Sequence, residues 1–548
     1  MHIIIPMSGI GKRFIEAGYT TPKPLIEVDN KPIIEHVCNL FPGEDKFTFI
    51  CNSKHLSETN MRHVLLGIKP NANIVEIPNH KKGPVYAVSL IENLIENDEE
   101  VIVNYCDFGT YWDYNDFLSH TRNRNADGAI PAYKGFHPHM LGTTNYAFIR
   151  DYKQWMLEIK EKEPFTKNRN NEYASNGTYY FKKGKFVKKY FNELINYDIN
   201  LSGEYYVSLV YNLLVKDNLK VSIYKIQHML QWGTPQDLQE YQSWSKYFRD
   251  AIKEEQKPKA LQNSLTLIPL AGHGSRFSKA GYKDPKPLIK VSGKPMIIQA
   301  ARSLPNSQNH NFVTLKEHLE NYPLKTTLKN EYPNSKIISI NKVTNGQAIT
   351  CSLGLEDTDL SHSLLIAATD NGMIYDKTKY QRLIEDENID SIVFTFRNHI
   401  SSKNNPHMYG WVKTDNNDNA IGVSVKSPIS ENPYNDHAIV GTFFFKKIAY
   451  FNQALNKLLE KDIKVNGEYY VDSLLGEAID LGLNVKVFEI EDYICWGTPD
   501  DYSTFVYWQS FFSKISWHPY NLEEDITVNV DKIEELYNSF RDFSQEFK

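Results

Sequence analysis

The segment Ile5-Pro6-Met7-Ser8-Gly9-Ile10-Gly11-Lys12-Arg13-Phe14 returns 263 positions later as Ile268-Pro269-Leu270-Ala271-Gly272-His273-Gly274-Ser275-Arg276-Phe277. The same offset carries Ala17-Gly18-Tyr19 onto Ala280-Gly281-Tyr282, Pro22-Lys23-Pro24-Leu25-Ile26 onto Pro285-Lys286-Pro287-Leu288-Ile289, Gly83 onto Gly346 and Asp107 onto Asp370. Pro138-His139-Met140 then returns as Pro406-His407-Met408 at an offset of 268. Gly177-Thr178, Gly203-Glu204-Tyr205-Tyr206-Val207 and Trp232-Gly233-Thr234-Pro235 recur at 264. The offset changes between motifs, where loops absorb insertions. Solenoid units run about 20 to 50 residues; a period this long means a duplicated domain, each copy folding around its own core.

At about 150 residues per domain, the 548 residues have room for at least two domains. The charged, proline-punctuated stretch 249–259 reads as a helix end running into a linker. The expected organisation is a first copy over 1–250, a linker over 251–263, a second copy over 264–513 and a helical extension over 514–548. In that extension Ile533, Leu536, Tyr537, Phe540, Phe543 and Phe547 keep helical spacing on one face, and the first copy has no equivalent. Packing on its own domain is the expectation, with a homo-oligomer formed through this helix as the alternative.

Within each copy, short β-rich apolar runs such as Phe47-Thr48-Phe49-Ile50 and Val101-Ile102-Val103 alternate with helical stretches such as 86–97. This is the pattern of an α/β fold with a mostly parallel, helix-covered sheet. Hydrophobic residues at 41% and charged residues at 23% are the balance of a soluble globular protein. A net charge of −6 provides no broad basic surface for nucleic acid. The five cysteines are far apart and lack CxxC spacing, which argues against a zinc site or a disulfide framework and fits a reducing, cytoplasmic setting. No export signal and no apolar run long enough to span a membrane is visible.

A strand ending in Gly-x-Gly exposes successive backbone N–H groups, and glycine lets the main chain wrap closely around phosphate. Ser8, Gly9 and Gly11, and Ala271, Gly272 and Gly274, are therefore candidate nucleotide contacts. Two residues past the second glycine stands Arg13 or Arg276, whose planar fork can hold two phosphate oxygens. Lys23 and Lys286 are each held between two prolines that stiffen the loop presenting the ammonium. A nucleoside triphosphate carries about four negative charges, so an arginine, a lysine and one divalent cation nearly neutralise it. Asp107 and Asp370 each follow an apolar strand, at the strand ends that border ligand crevices in open α/β sheets, and are suited to Mg²⁺.

Taken together, these motifs resemble the nucleotidyltransferase family that makes nucleotide sugars and related activated small molecules, the pyrophosphorylases and cytidylyltransferases. The resemblance implies two tandem Rossmann-like, GT-A-type domains. It further implies Mg²⁺-assisted transfer of a nucleotidyl group from an NTP, CTP or UTP, to a small phosphorylated acceptor with release of pyrophosphate, of the kind that feeds surface-polysaccharide synthesis. By the same resemblance, Gly83 and Gly346 touch the base, and Lys162 and Lys426 meet the acceptor phosphate. Glu204, Glu468, His139 and His407 are further acceptor candidates. The flanking residues differ between copies: Lys82-Gly83-Pro84-Val85 stands against Asn345-Gly346-Gln347-Ala348, and Glu161-Lys162-Glu163-Pro164 against Val425-Lys426-Ser427-Pro428. The two copies are accordingly expected to have different substrates. Many relatives carry a second metal aspartate just before the late Gly-Thr, where this chain has Gln231 and Cys495. Either solvent and phosphate then complete the metal shell, or a carboxylate such as Glu204 or Glu468 contributes.

Three other readings compete. A dinucleotide-binding dehydrogenase fails because Phe14 and Phe277 occupy the place of the third glycine. A GT-A glycosyltransferase would show Asp-x-Asp where the chain has Asp107-Phe108-Gly109 and Asp370-Asn371-Gly372. One copy could instead be a silent nucleotide-binding or regulatory domain.

Overall fold

A computed structural model describes residues 1–253 and 260–540. The chain forms two compact units. The first comprises Met1–Arg249, Tyr507–Pro519 and the residues from Tyr537 onward; the second comprises Asp250–Val506 and Tyr520–Leu536.

The first unit is built on a ten-stranded mixed sheet. Its N-terminal part is parallel: His2–Met7 lies between Lys46–Asn52 and Val101–Asn104, and Asn73–Ile77 adds outside Lys46–Asn52. Ile3, Ile4 and Ile5 are fully buried, the continuous apolar run of a strand covered on both faces. Thr178–Phe181 enters antiparallel beside Val101–Asn104 and joins this half to Gly128–Tyr133, Val221–Lys225 and an outer layer that includes the hairpin Ala147–Tyr152 with Trp155–Glu161. On the side of Val101–Asn104, the pairing of His2–Met7 stops at Ile4. Pro6 therefore interrupts no bond there, and the sheet opens where the glycine loop begins.

The second unit repeats the plan with nine strands. Leu261–Leu270 lies parallel between Ser307–Leu315 and Ser363–Ile366, and His437–Phe445 enters antiparallel next to Ser363–Ile366. The α/β class read from the sequence is the observed one, and both sheets are mixed.

At the end of the chain, Pro499–Phe512 is helical. The segment 520–536 packs on the second unit: Gln299 Nε2 donates to the Thr527 carbonyl at 2.8 Å, and the Asn529 amide to the Ser292 carbonyl at 2.9 Å. From Tyr537 onward the described chain belongs to the first unit, where the Phe540 ring lies 5.4 Å from Tyr507. The helical spacing read over 533–547 is helix over Ile533–Asn538. Phe540 has a left-handed φ of 56°, and Phe543 and Phe547 lie outside the described residues.

Candidate active sites

In each unit the first strand runs into the glycine loop. Gly11 and Gly274 take φ of 68° and 60°, values that favour glycine, and stand at the start of the short helices Lys12–Glu16 and Ser275–Lys279. A Cβ added at Gly9 or Gly272 would meet no protein atom within 4 Å, so both backbones face open space. Arg13 and Arg276 are exposed, and no described residue forms an ion pair with either.

Prolines 22 and 24, and 285 and 287, hold the lysines in one-turn 3₁₀ segments, Lys23–Leu25 and Lys286–Leu288. From there Lys23 Nζ reaches Asp107 Oδ2 at 2.7 Å, and Lys286 makes the same contact with Asp370. Burial alone would lower the Lys23 ammonium; the Asp107 carboxylate, with Cys106 adding to its effect, more than offsets it and holds the pKa above the ordinary lysine value.

Two short antiparallel ribbons bring the late motif to these aspartates: Phe108–Tyr111 with His228–Gln231, and Asn371–Ile374 with Asp492–Cys495. The Trp232 amide donates to the Asp107 carbonyl at 3.0 Å and the Trp496 amide to the Asp370 carbonyl at 2.8 Å. Gly233 and Gly497 then pass so close that an added Cβ would lie 3.3 Å from Asp107 Oδ2 and 3.5 Å from Asp370 Oδ2.

This approach exposes a pair of residues that the sequence reading missed. Asp237 and Asp501, three residues after Thr234 and Thr498, stand close enough to Asp107 and Asp370 to feel their charge. Thr234 Oγ1 donates to Asp237 Oδ2 at 2.5 Å, and Thr498 Oγ1 to Asp501 Oδ2 at 2.6 Å. Burial pushes the Asp237 carboxyl up to about 6, with Asp107 adding to the rise, and Asp501 is shifted the same way by burial and Asp370. The signal was present, because Thr-Pro-x-Asp recurs at offset 264. Among the described residues no cluster of three or more His, Cys, Asp or Glu forms a metal cage. Two neighbouring carboxylates nevertheless suit Mg²⁺, which takes one or two protein carboxylates and completes its shell with phosphate and water.

In the first unit, a cavity of about 290 Å³ is lined by Ser8, Gly9, Gly11, Lys23, Gly83, Asp107, Glu204 and Tyr206, among others. It thus gathers the glycine loop, the lysine, the aspartate and Gly83. A larger groove of about 1090 Å³ runs between residues 19–39 and 59–68 and contains none of these groups. Ser8 is buried and its Oγ lies 3.2 Å from His80 Nε2; Ala271 is the buried counterpart. Gly83 and Gly346 take φ of 81° and 125° and press against the backbones of Tyr205 and Tyr469, whose amides donate to the Lys82 and Asn345 carbonyls.

The acceptor candidates divide. Lys162 Nζ donates to Tyr206 Oη at 2.7 Å, and Tyr206 Oη donates to Glu204 Oε2 at 2.5 Å. Lys426 instead donates to the Met408 carbonyl, and Glu468 is hydrogen-bonded to Tyr470. His139 packs its ring 4.8 Å from Tyr146, leaves a buried Nε2 without a partner, and is not among the residues lining the cavity. Its counterpart His407 is exposed, with Nδ1 3.2 Å from the Lys426 carbonyl oxygen.

The profile of the nucleotidyl transferase family matches residues 3–202 and again 265–475. The chain belongs to this family, an enzyme family, and carries two tandem copies of its domain. No curated protein matches the chain significantly in sequence. Among solved structures, it is similar to a nucleoside-diphosphate-sugar pyrophosphorylase from Vibrio cholerae RC9, at 21% identity and a TM-score of 0.37, over 44% of this chain and 99% of that one. It is also similar to the inositol-1-phosphate CTP transferase from T. maritima, at 15% identity and a TM-score of 0.36, over 45% and 96%. A UDP-glucose pyrophosphorylase from Acinetobacter baumanii matches at 15% identity and a TM-score of 0.36, over 45% and 93%.

Proposed function

We propose that each copy transfers a nucleotidyl group from CTP or UTP to a small phosphorylated acceptor, a sugar phosphate or a similar phosphomonoester, and releases pyrophosphate. The observation that carries this reading is the lysine–aspartate pair beneath an open glycine loop, present in both units. An acceptor phosphate oxygen forms a new bond to the α-phosphorus while the bond from that phosphorus to the bridging oxygen breaks, and the electron pair leaves with pyrophosphate. A phosphate monoester is largely dianionic at neutral pH, so the step needs no general base, and positioning with charge neutralisation carries it.

In this reading the loop amides and Arg13 or Arg276 bind the triphosphate. Lys23 or Lys286 turns from its aspartate to a phosphate oxygen, and Asp107 with Asp237, or Asp370 with Asp501, holds Mg²⁺. The bound ion would supply charge neutralisation at the phosphates. The products would serve surface-polysaccharide synthesis in the cytoplasm.

The test is pyrophosphate release from CTP or UTP with a panel of phosphorylated acceptors, using Asp107→Ala and Asp370→Ala singly and together. The double variant is expected to be inactive and each single variant to retain one activity. Full activity in the double variant would overturn the assignment, and one single variant as inactive as the double would mean that only one copy works. Chelation of divalent cations should abolish release in all forms, restored by Mg²⁺.

A further inference from the structure

The acceptor halves of the two units differ in a coordinated way. In the first, Tyr105 lines the cavity, with its ring 5.6 Å from that of Tyr179 and its hydroxyl oxygen accepting from the Val207 amide at 3.3 Å. At the offset that relates Asp107 to Asp370, Tyr105 becomes Ala368 and the ring is gone. Ala368 is half-exposed beside Gly441. Where a phenol walls the cavity in one copy, the other has only a methyl group.

The carboxylate beside the acceptor lysine has also changed element. In the first unit Glu161 ends the strand Trp155–Glu161, next to Lys162, and accepts from Ser208 Oγ at 2.5 Å. In the second unit the corresponding positions are Val425 and Asp472: the strand has lost its carboxylate and the helix Val471–Asp480 has gained one. Gly410 makes the exchange possible, since a Cβ there would lie 2.7 Å from Asp472 Oδ2. Burial pushes the Asp472 carboxyl up to about 6, with Lys426 opposing the rise. Among the described residues, none forms a hydrogen bond or ion pair with Asp472. A half-buried carboxylate that no described protein group pairs with is free to accept from a ligand hydroxyl.

We propose that the second unit has the larger acceptor pocket and selects a phosphorylated sugar or polyol, whose hydroxyls donate to Asp472, whereas Tyr105 restricts the first unit to a shorter phosphomonoester. This inference rests on the transferase reading above. A site built to hydrogen-bond a substrate hydroxyl discriminates strongly against an acceptor lacking it.

The experiment uses the full chain with one site silenced: Asp107→Ala leaves the second unit active, and Asp370→Ala the first. Pyrophosphate release is measured with CTP and UTP against glucose 1-phosphate as the hydroxylated probe and phosphocholine as the short one. The second-unit form is expected to prefer glucose 1-phosphate at least tenfold in kcat/KM, and the first-unit form to prefer phosphocholine. Adding Asp472→Asn to the second-unit form should raise the KM for glucose 1-phosphate about tenfold while the KM for the nucleotide stays unchanged. Adding Tyr105→Ala to the first-unit form should raise its kcat/KM for glucose 1-phosphate about tenfold. The same acceptor order in both single-site forms, or an unchanged acceptor KM in the near-isosteric Asp472→Asn, overturns the inference even if Tyr105→Ala misfolds. Pyrophosphate release with none of the probe pairs would instead defeat the transferase reading itself.

Discussion

At the residue scale, the lysine between two prolines and the aspartate after the central strand are read as one device. Each neutralises the other, and Lys23 is partly buried, so neither charge is left alone away from water. Replacing Lys23 or Lys286 by Met would remove a phosphate ligand and leave Asp107 or Asp370 unpaired. Each is predicted to lower kcat in its own copy about 10²-fold, the scale of losing one positioned charge at a transferring phosphoryl group, as measured with the other site silenced. Asp237→Asn and Asp501→Asn are predicted to act on the metal: the Mg²⁺ concentration for half-maximal rate should rise about tenfold with the nucleotide KM little changed, in a Mg²⁺ titration. An unchanged Mg²⁺ dependence would reduce both residues to hydrogen-bond partners of the helix-capping Thr234 and Thr498.

At the scale of elements, the loop holding Gly83 or Gly346 and the Gly-Glu-Tyr-Tyr segment are locked together by backbone. The Val85 and Ala348 amides donate to the Tyr205 and Tyr469 carbonyls at 3.1 and 3.0 Å. That close approach is what Gly83 and Gly346 make possible. An added Cβ would lie 2.8 Å from the Tyr205 backbone and 2.4 Å from that of Tyr469, each at a φ that side chains rarely adopt. Gly83→Ala and Gly346→Ala are predicted to destabilise their units by about 1–3 kcal/mol, with Gly346→Ala the worse, in urea unfolding of the full chain. These glycines were legible in the sequence as recurring positions. Their packing was not, because the partner backbone lies more than a hundred residues away.

For the whole molecule, the two units share a plan but not an ionisable interior. Burial depresses nine described histidines of the first unit, His137 to about 4, against three in the second, His399 also to about 4. A folded-state pKa below the unfolded value means that the unfolded chain takes up protons first, so stability falls as pH drops from the ordinary histidine range toward the folded values. Raised carboxyls act oppositely: Asp237 and Glu240, at about 6 and 7, with Glu161, offset only part of this against nine histidines in the first unit, whereas Asp472, Asp501 and Asp525 weigh against three histidines in the second. The first unit is therefore predicted to be the more acid-labile. Hydrogen exchange of the full chain at pH 7 and pH 5.5 should show a larger loss of protection in its core strands. Equal losses in both units would contradict the prediction.

The sequence by itself determined the duplication, the α/β class and the recurring loop, lysine and aspartate positions, because recurring glycines, prolines and charges act through local backbone geometry and keep their spacing. It did not determine the second carboxylate of each site. Asp237 and Asp501 reach the chemistry only when a two-stranded ribbon folds the late motif back onto a strand end more than a hundred residues earlier. Nor did it place His139, whose motif recurs while its surroundings do not. Local motifs specify the chemistry that each segment can perform. Which segments meet is decided by long-range strand pairing and burial, and that is also where the two copies came to differ, at Tyr105 and Ala368 and at Glu161 and Asp472.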